Sequence, residues 1–124
     1  MNQRKILIID DDARNIFALK AILTASGFDC ISATGAQEGI ALMNDNTNIG
    51  IVLIDMMMPD MDGYEAIPII RKTGNYSTVP VIAVTAQAMP GDKEKCIEAG
   101  ATGYISKPIN FDLLMEVIEE YLPS

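Results

Sequence analysis

Three short stretches of the chain, residues 5–9, 49–54 and 79–84, are apolar almost throughout and rich in isoleucine and valine. A strand with one wet face alternates polar and apolar side chains; a strand covered on both faces reads as a continuous apolar run. These three therefore belong inside a parallel sheet with helices packed on both sides. Residues 29–33 and 102–105 are two further β-branched candidates, which makes five strands. Between them the apolar residues change period. Ile16, Leu19 and Leu23 recur at three and four, as do Phe111, Leu114, Ile118 and Leu122. Strands alternating with helices predict a (βα)5 doubly wound α/β fold.

Local punctuation supports the helices. Gly27 and Gly100 follow helical runs as C-cap candidates, Thr34 with Gln37 reads as a capping box, and Asp62 with Glu65 is a weaker version of that signal. Pro68 stands inside the helix expected after Gly63. It removes one helical hydrogen bond and crowds the Tyr64 carbonyl, so this helix is expected to kink or to start late.

A chain of 124 residues with 49% hydrophobic content can bury a sizeable core as one domain, residues 1–124. The last helix is expected to end shortly before Ser124, and no output domain is expected within these residues. Seventeen acidic against nine basic residues give a net charge of −8, which opposes docking on nucleic-acid phosphates or anionic lipid and favours cations and basic protein surfaces. Cys30 and Cys96 have no metal-like or redox-like spacing and read as small core residues of a reducing compartment. With no signal-peptide pattern and no membrane-length apolar run, the expected location is the cytoplasm.

Function is most legible where the strands stop. Asp10, Asp11 and Asp12 follow Ile9, Asp55 follows Ile54, Thr85 follows Val84, and Lys107 comes two residues after Ile105. Open α/β sheets bind ligands at this edge, where strand order reverses. With the order 2-1-3-4-5 the reversal falls between the first and third strands, so Asp10, Asp11 and Asp55 converge. Crowded carboxylates repel unless a cation compensates, and a set of oxygen donors without an EF-hand loop suits Mg2+ better than Ca2+. Asp12, just before Ala13, is assigned to capping the first helix. Asp55 can act as a nucleophile on phosphorus, Lys107 can pair with a phosphate oxygen, and Thr85 can donate a hydroxyl to another.

Taken together these residues resemble the response-regulator receiver family of two-component signalling, from Lys5 to about Leu122. The motifs are the acidic pair Asp10 and Asp11, Asp55 with Met58-Pro59, Asp62-Gly63, Thr85-Ala86, Gly100-Ala101, Tyr104 and Lys107-Pro108. The resemblance implies a flavodoxin-like fold and an aspartyl phosphate at Asp55. It implies Mg2+ held by Asp11, Asp55 and the Met57 carbonyl, with Asp10 acting mainly through a metal-bound water. It further implies a switch through Thr85 and Tyr104, tuning of phosphate lifetime by Met57 and Gln87, and a cis Lys107–Pro108 peptide. The output face would be the fourth helix, fifth strand and fifth helix. Within the fourth helix, residues 91–99, Cys96, Ile97 and Ala99 are the apolar anchors. Met56, Met57 and Met58 are expected to pack or line the cleft rim, since soft sulfur does not suit Mg2+.

The implied partner is a histidine kinase or a histidine phosphotransfer protein, with no direct nucleic-acid or membrane contact. The chain contains no histidine and cannot be its own phosphohistidine donor. It would be a monomer or a phosphorylation-dependent homodimer, and either a free-standing regulator or a module of a hybrid kinase. Three other readings compete. A Mg2+-dependent phosphatase of the haloacid-dehalogenase type needs a second aspartate two residues after its nucleophile, where this chain has Met57. A flavodoxin-like cofactor binder needs a glycine-rich phosphate loop after the first strand, where this chain has three aspartates. A pseudo-receiver that only docks partners would lack the acceptor, the lysine or the acidic pair.

Overall fold

The structure, a computed structural model, describes residues 4–86 and 90–122. Five strands, β1 (Lys5–Ile9), β2 (Asp29–Ala33), β3 (Ile49–Asp55), β4 (Val81–Thr85) and β5 (Gly103–Ser106), alternate with five helices. These are α1 (Ala13–Ala25), α2 (Ala36–Asp45), α3 (Gly63–Arg71), α4 (Asp92–Ala99) and α5 (Phe111–Tyr121). The strands pair in parallel, as the apolar runs predict, and their order is β2-β1-β3-β4-β5.

Alternate residues of each central strand feed opposite cores. Leu7, Ile9, Val52 and Ile54 pack with Ala36, Met43, Ile67, Ile70 and Cys96 from α2, α3 and α4. Ile6, Ile8, Ile51 and Leu53 pack with Ile16, Leu19, Leu114 and Ile118 from α1 and α5. Each buried aliphatic side chain contributes roughly 1.5–3 kcal/mol. Because both faces are apolar, a one-residue slip of β1 would still bury its side chains, so hydrophobicity alone does not set the register. Polar groups at the strand end do. Asp10 N–H donates to the Ala33 carbonyl at 3.1 Å, and Asp10 Oδ1 accepts from Asp12 N–H at 2.8 Å.

Several local expectations change. β4 begins at Val81 rather than at residue 79, because Pro80 has no N–H to give the ladder, although its carbonyl still accepts from Val52 at 2.9 Å. β5 begins at Gly103, one residue late, and β3 runs one residue further, taking Asp55 into register with Val84. The capping box expected at Thr34 does not form. α2 starts at Ala36 with Gly35 as N-cap, so Gln37 falls short of the N3 position and Thr34 Oγ1 donates to Glu38 instead.

The capping box at α3 is complete: Glu65 N–H donates to Asp62 Oδ1 at 2.9 Å, and Asp62 N–H to Glu65 Oε1 at 3.4 Å. That box fixes the start of α3 at Gly63, so the late start expected from Pro68 does not occur, and the helix carries the exposed proline within it. Gly63 has its own reason for being there. A Cβ at this position would run into the Met56 sulfur, which is fully buried beneath it. Cys96 is buried, Cys30 is half-buried, and both thiols are free. Among the described residues no helix is long and apolar enough to cross a membrane.

Candidate functional site

The ends of β1, β3 and β4 and the β5–α5 connection meet at one edge of the sheet. Asp10 and Asp55 are buried there, at 3% and 4% exposure, while Asp11 is exposed, and one carboxylate oxygen from each of the three lies within 4.8 Å of the others. Asp55 Oδ1 accepts from Met57 N–H at 3.0 Å, which sets the rotation of the carboxylate. Its Oδ2 accepts from Lys107 Nζ at 3.3 Å, and the same ammonium lies 3.7 Å from Asp10 Oδ2. Lys107 is aimed by its own backbone, whose N–H donates to the Thr85 carbonyl at 2.8 Å, and the Lys107–Pro108 peptide is cis.

Asp10 is the most constrained of the three acids. Its Oδ1 caps the turn into α1 and its Oδ2 accepts from Asn15 Nδ2 at 3.4 Å. Burial pushes its carboxyl above the usual carboxylate range, against the opposing pull of the Asp12 N–H and Lys107. Asp12 points elsewhere, capping α1 through Arg14 N–H at 2.9 Å, and that bond lowers its pKa. Within the triplet, Asp10 and Asp11 each bring a carboxylate oxygen close to Asp55, whereas Asp12 caps the helix. Asn15 was not foreseen. Its only sequence signal is its position in the first turn of α1.

These residues fit a hard divalent cation. All the converging donors are oxygens, and Lys107 answers only one of three carboxylate charges, leaving two formal negative charges, part of them away from water. Of the neighbouring methionines, Met56 is 0% exposed and Met58 7%, whereas Met57 is 51% exposed. Beside the acids a cleft of about 330 Å³ is lined by Asp11, Gly35, Glu38, Pro59 and Met61.

A family model described as the response regulator receiver domain matches residues 6–119. The chain belongs to this family. Among relatives of this receiver domain is the hybrid signal transduction histidine kinase I of Dictyostelium discoideum, 39% identical over 124 residues. That match covers 95% of this chain but only 7% of the kinase. The polar-differentiation response regulator DivK of Brucella ovis is 31% identical over 119 residues, covering 96% of each. Among solved structures, the receiver domain of a sensor histidine kinase from Pseudomonas aeruginosa superposes with a TM-score of 0.85 at 28% identity, over 99% of this chain and 100% of that one. It was solved with a magnesium ion coordinated in its active-site cleft. The protein is thus a receiver domain of two-component signalling, a unit found both inside long kinases and as most of a small regulator.

Of the remaining expected site residues, Thr85 is buried at 1% exposure at the end of β4. Tyr104 is half-buried and packs against the core on the α2–α3–α4 side. Burial, then the Asp92 charge and Cys96, push the Tyr104 phenol up. Gln87 lies outside the described residues. In α4, Cys96 is an anchor, but Ile97 is not: it is 44% exposed, and the second buried residue of the helix is Asp92.

Proposed function

We propose that this receiver domain, taken as one unit over residues 1–124, accepts a phosphoryl group from a phosphohistidine onto Asp55 with Mg2+ bound, and that the modification reshapes a partner-binding face. The observation that carries this reading is the setting of Asp55: a buried carboxylate with Oδ1 held by a backbone N–H, Oδ2 beside the Lys107 ammonium, and two further carboxylates within reach.

Asp11, Asp55 and the Met57 carbonyl would hold the metal, with Asp10 acting through a water. Mg2+ supplies charge neutralisation for the carboxylates and the phosphoryl oxygens. An Asp55 oxygen forms the new bond to phosphorus as the phosphorus–nitrogen bond of the donor breaks and its electron pair leaves on the imidazole. Lys107 pairs with a phosphoryl oxygen and Thr85 donates its hydroxyl to another. Drawn inward, Thr85 leaves room for the Tyr104 ring, and α4, β5 and α5 carry the change to a partner. Met57 and Gln87 would tune how long the phosphate lasts.

The partner is a histidine kinase or a histidine phosphotransfer protein, and the domain, a monomer or a phosphorylation-dependent homodimer, works in the cytoplasm. It promotes only its own phosphorylation and dephosphorylation. Hydrolysis of outside substrates in the haloacid-dehalogenase manner has no support, because the residue two places after Asp55 is Met57, whose thioether has no proton to give. Incubation with phosphorylated histidine phosphotransfer proteins and Mg2+ tests the reading. The phosphoryl group should move to this chain and a chelator should stop it; no transfer from any such donor, nor from a small acyl phosphate, would count against it.

A further inference from the structure

α4 is clamped at its C-terminal end by a side chain of α3. At its C-terminal end the Arg71 side chain, from the last residue of α3, makes four hydrogen bonds. Nε and Nη2 donate to the Gly100 carbonyl at 3.0 and 2.6 Å, Nη2 also to Thr102 Oγ1 at 3.2 Å, and Nη1 to the Val79 carbonyl. Thr102 Oγ1 in turn accepts from Val81 N–H at 3.0 Å. One planar, charged fork thus ties the ends of α3 and α4 to the entries of β4 and β5, at the sheet edge opposite Asp55. Gly100 closes the helix with φ at 115°, a conformation costly for residues with a Cβ, and any Cβ there would sit 3.1 Å from Ile67 Cγ2.

The N-terminal end lies at the Asp55 edge. It begins at Gly91 with no side-chain capping bond. Its buried residue, Asp92, lines a shallow cleft together with Tyr64 and Lys95. Between the ends only Cys96 is fully buried, touching Tyr64 Oη at 3.9 Å.

We infer that Arg71 is the fixed pivot of α4, so that a change at Tyr104 tilts the helix about the Arg71–Gly100 clamp and moves its Asp92 end, instead of sliding the whole helix. This rests on the proposed Thr85–Tyr104 switch. Eight residues rising about 1.5 Å each make a lever roughly 12 Å long, so a small tilt produces its largest displacement at Asp92 and nearly none at Gly100. Arg71 is a positioning residue and touches none of the reacting groups.

The test uses amide NMR and hydrogen exchange on the whole chain, wild type, Arg71→Lys and Arg71→Met. On adding beryllofluoride and Mg2+ to the wild type, shift changes along α4 should decline from Asp92 towards Gly100. In Arg71→Met, Gly100, Ala101 and Thr102 should shift as well. Without beryllofluoride, exchange of the Ala101 amide, which donates to the Cys96 carbonyl, should rise at least about tenfold in that variant. Arg71→Lys, with a charge but no fork, should fall between. A uniform change along α4 in the wild type, or unaltered exchange at Ala101 in Arg71→Met, would overturn the pivot. If Arg71→Met fails to fold, the wild-type gradient and Arg71→Lys still decide. An absence of shifts at Asp55 and Thr85 would overturn the phosphoacceptor reading instead, and the exchange measurement, made without the phosphoryl mimic, would still judge the clamp.

Discussion

Lys107 and Asp55 stand 52 positions apart, yet the Lys107 ammonium lies 3.3 Å from Asp55 Oδ2, and it also reaches within 3.7 Å of Asp10 Oδ2. One cation therefore serves two buried carboxylates, in the place a phosphoryl oxygen and a metal would share with it. Lys107 and a divalent cation compete for the same negative charge.

Removing that competition separates two roles. Lys107→Ala should bind Mg2+ about fivefold more tightly, because the acids lose their internal counter-charge, yet accept phosphate at least about tenfold more slowly, because a phosphoryl oxygen loses its partner. Metal titration and phosphotransfer rates on the same preparation check this.

The acidic triplet should divide by function. Asp11→Ala is expected to weaken Mg2+ binding by more than roughly tenfold. Asp12→Ala should leave metal affinity nearly unchanged and lower the denaturant midpoint, since Asp12 caps α1 through Arg14 N–H. Equal losses of metal affinity would contradict the assignment.

Gly63 should tolerate no side chain. Gly63→Ala would push the buried Met56 sulfur out of its place, an overpacking expected to cost about 1–3 kcal/mol by urea unfolding.

At high pH, Tyr64 is the group to watch. Burial above all, then its contact with Cys96 and the nearby Asp92 and Asp62 charges, pushes its phenol up to about 12. The folded state thus prefers the neutral phenol. Its contribution is complete below the ordinary tyrosine pKa of about 10 and is lost as pH rises from about 10 through about 12. Over that window the wild type should lose more stability than Tyr64→Phe. The phenolate absorbance should contain a late-titrating tyrosine that the variant lacks.

The sheet was legible because its central strands are buried on both faces, so that residues 6–9 and 51–54 read as continuous apolar runs alternating with helical segments. The site was legible because its residues are polar where the apolar runs stop. What escaped was set by side chains reaching across the fold. Arg71 bonds carbonyls 8 and 29 positions away, and Tyr76 donates to the Asn46 carbonyl from 30 positions along the chain. No local period records such pairings. The start of α2 was misjudged by one residue because Thr34 and Glu38 satisfy each other while Gly35 takes the cap.

The most direct test is phosphorylation of Asp55→Asn beside the wild type, with a phosphodonor and Mg2+, read by intact-protein mass spectrometry and confirmed by hydroxylamine sensitivity. The amide keeps an oxygen for Met57 N–H, so the fold should hold, but it offers no carboxylate to attack phosphorus. The wild type should gain one hydroxylamine-labile phosphoryl group and Asp55→Asn none. A normal acyl-phosphate yield in the variant would place the acceptor elsewhere and contradict the account.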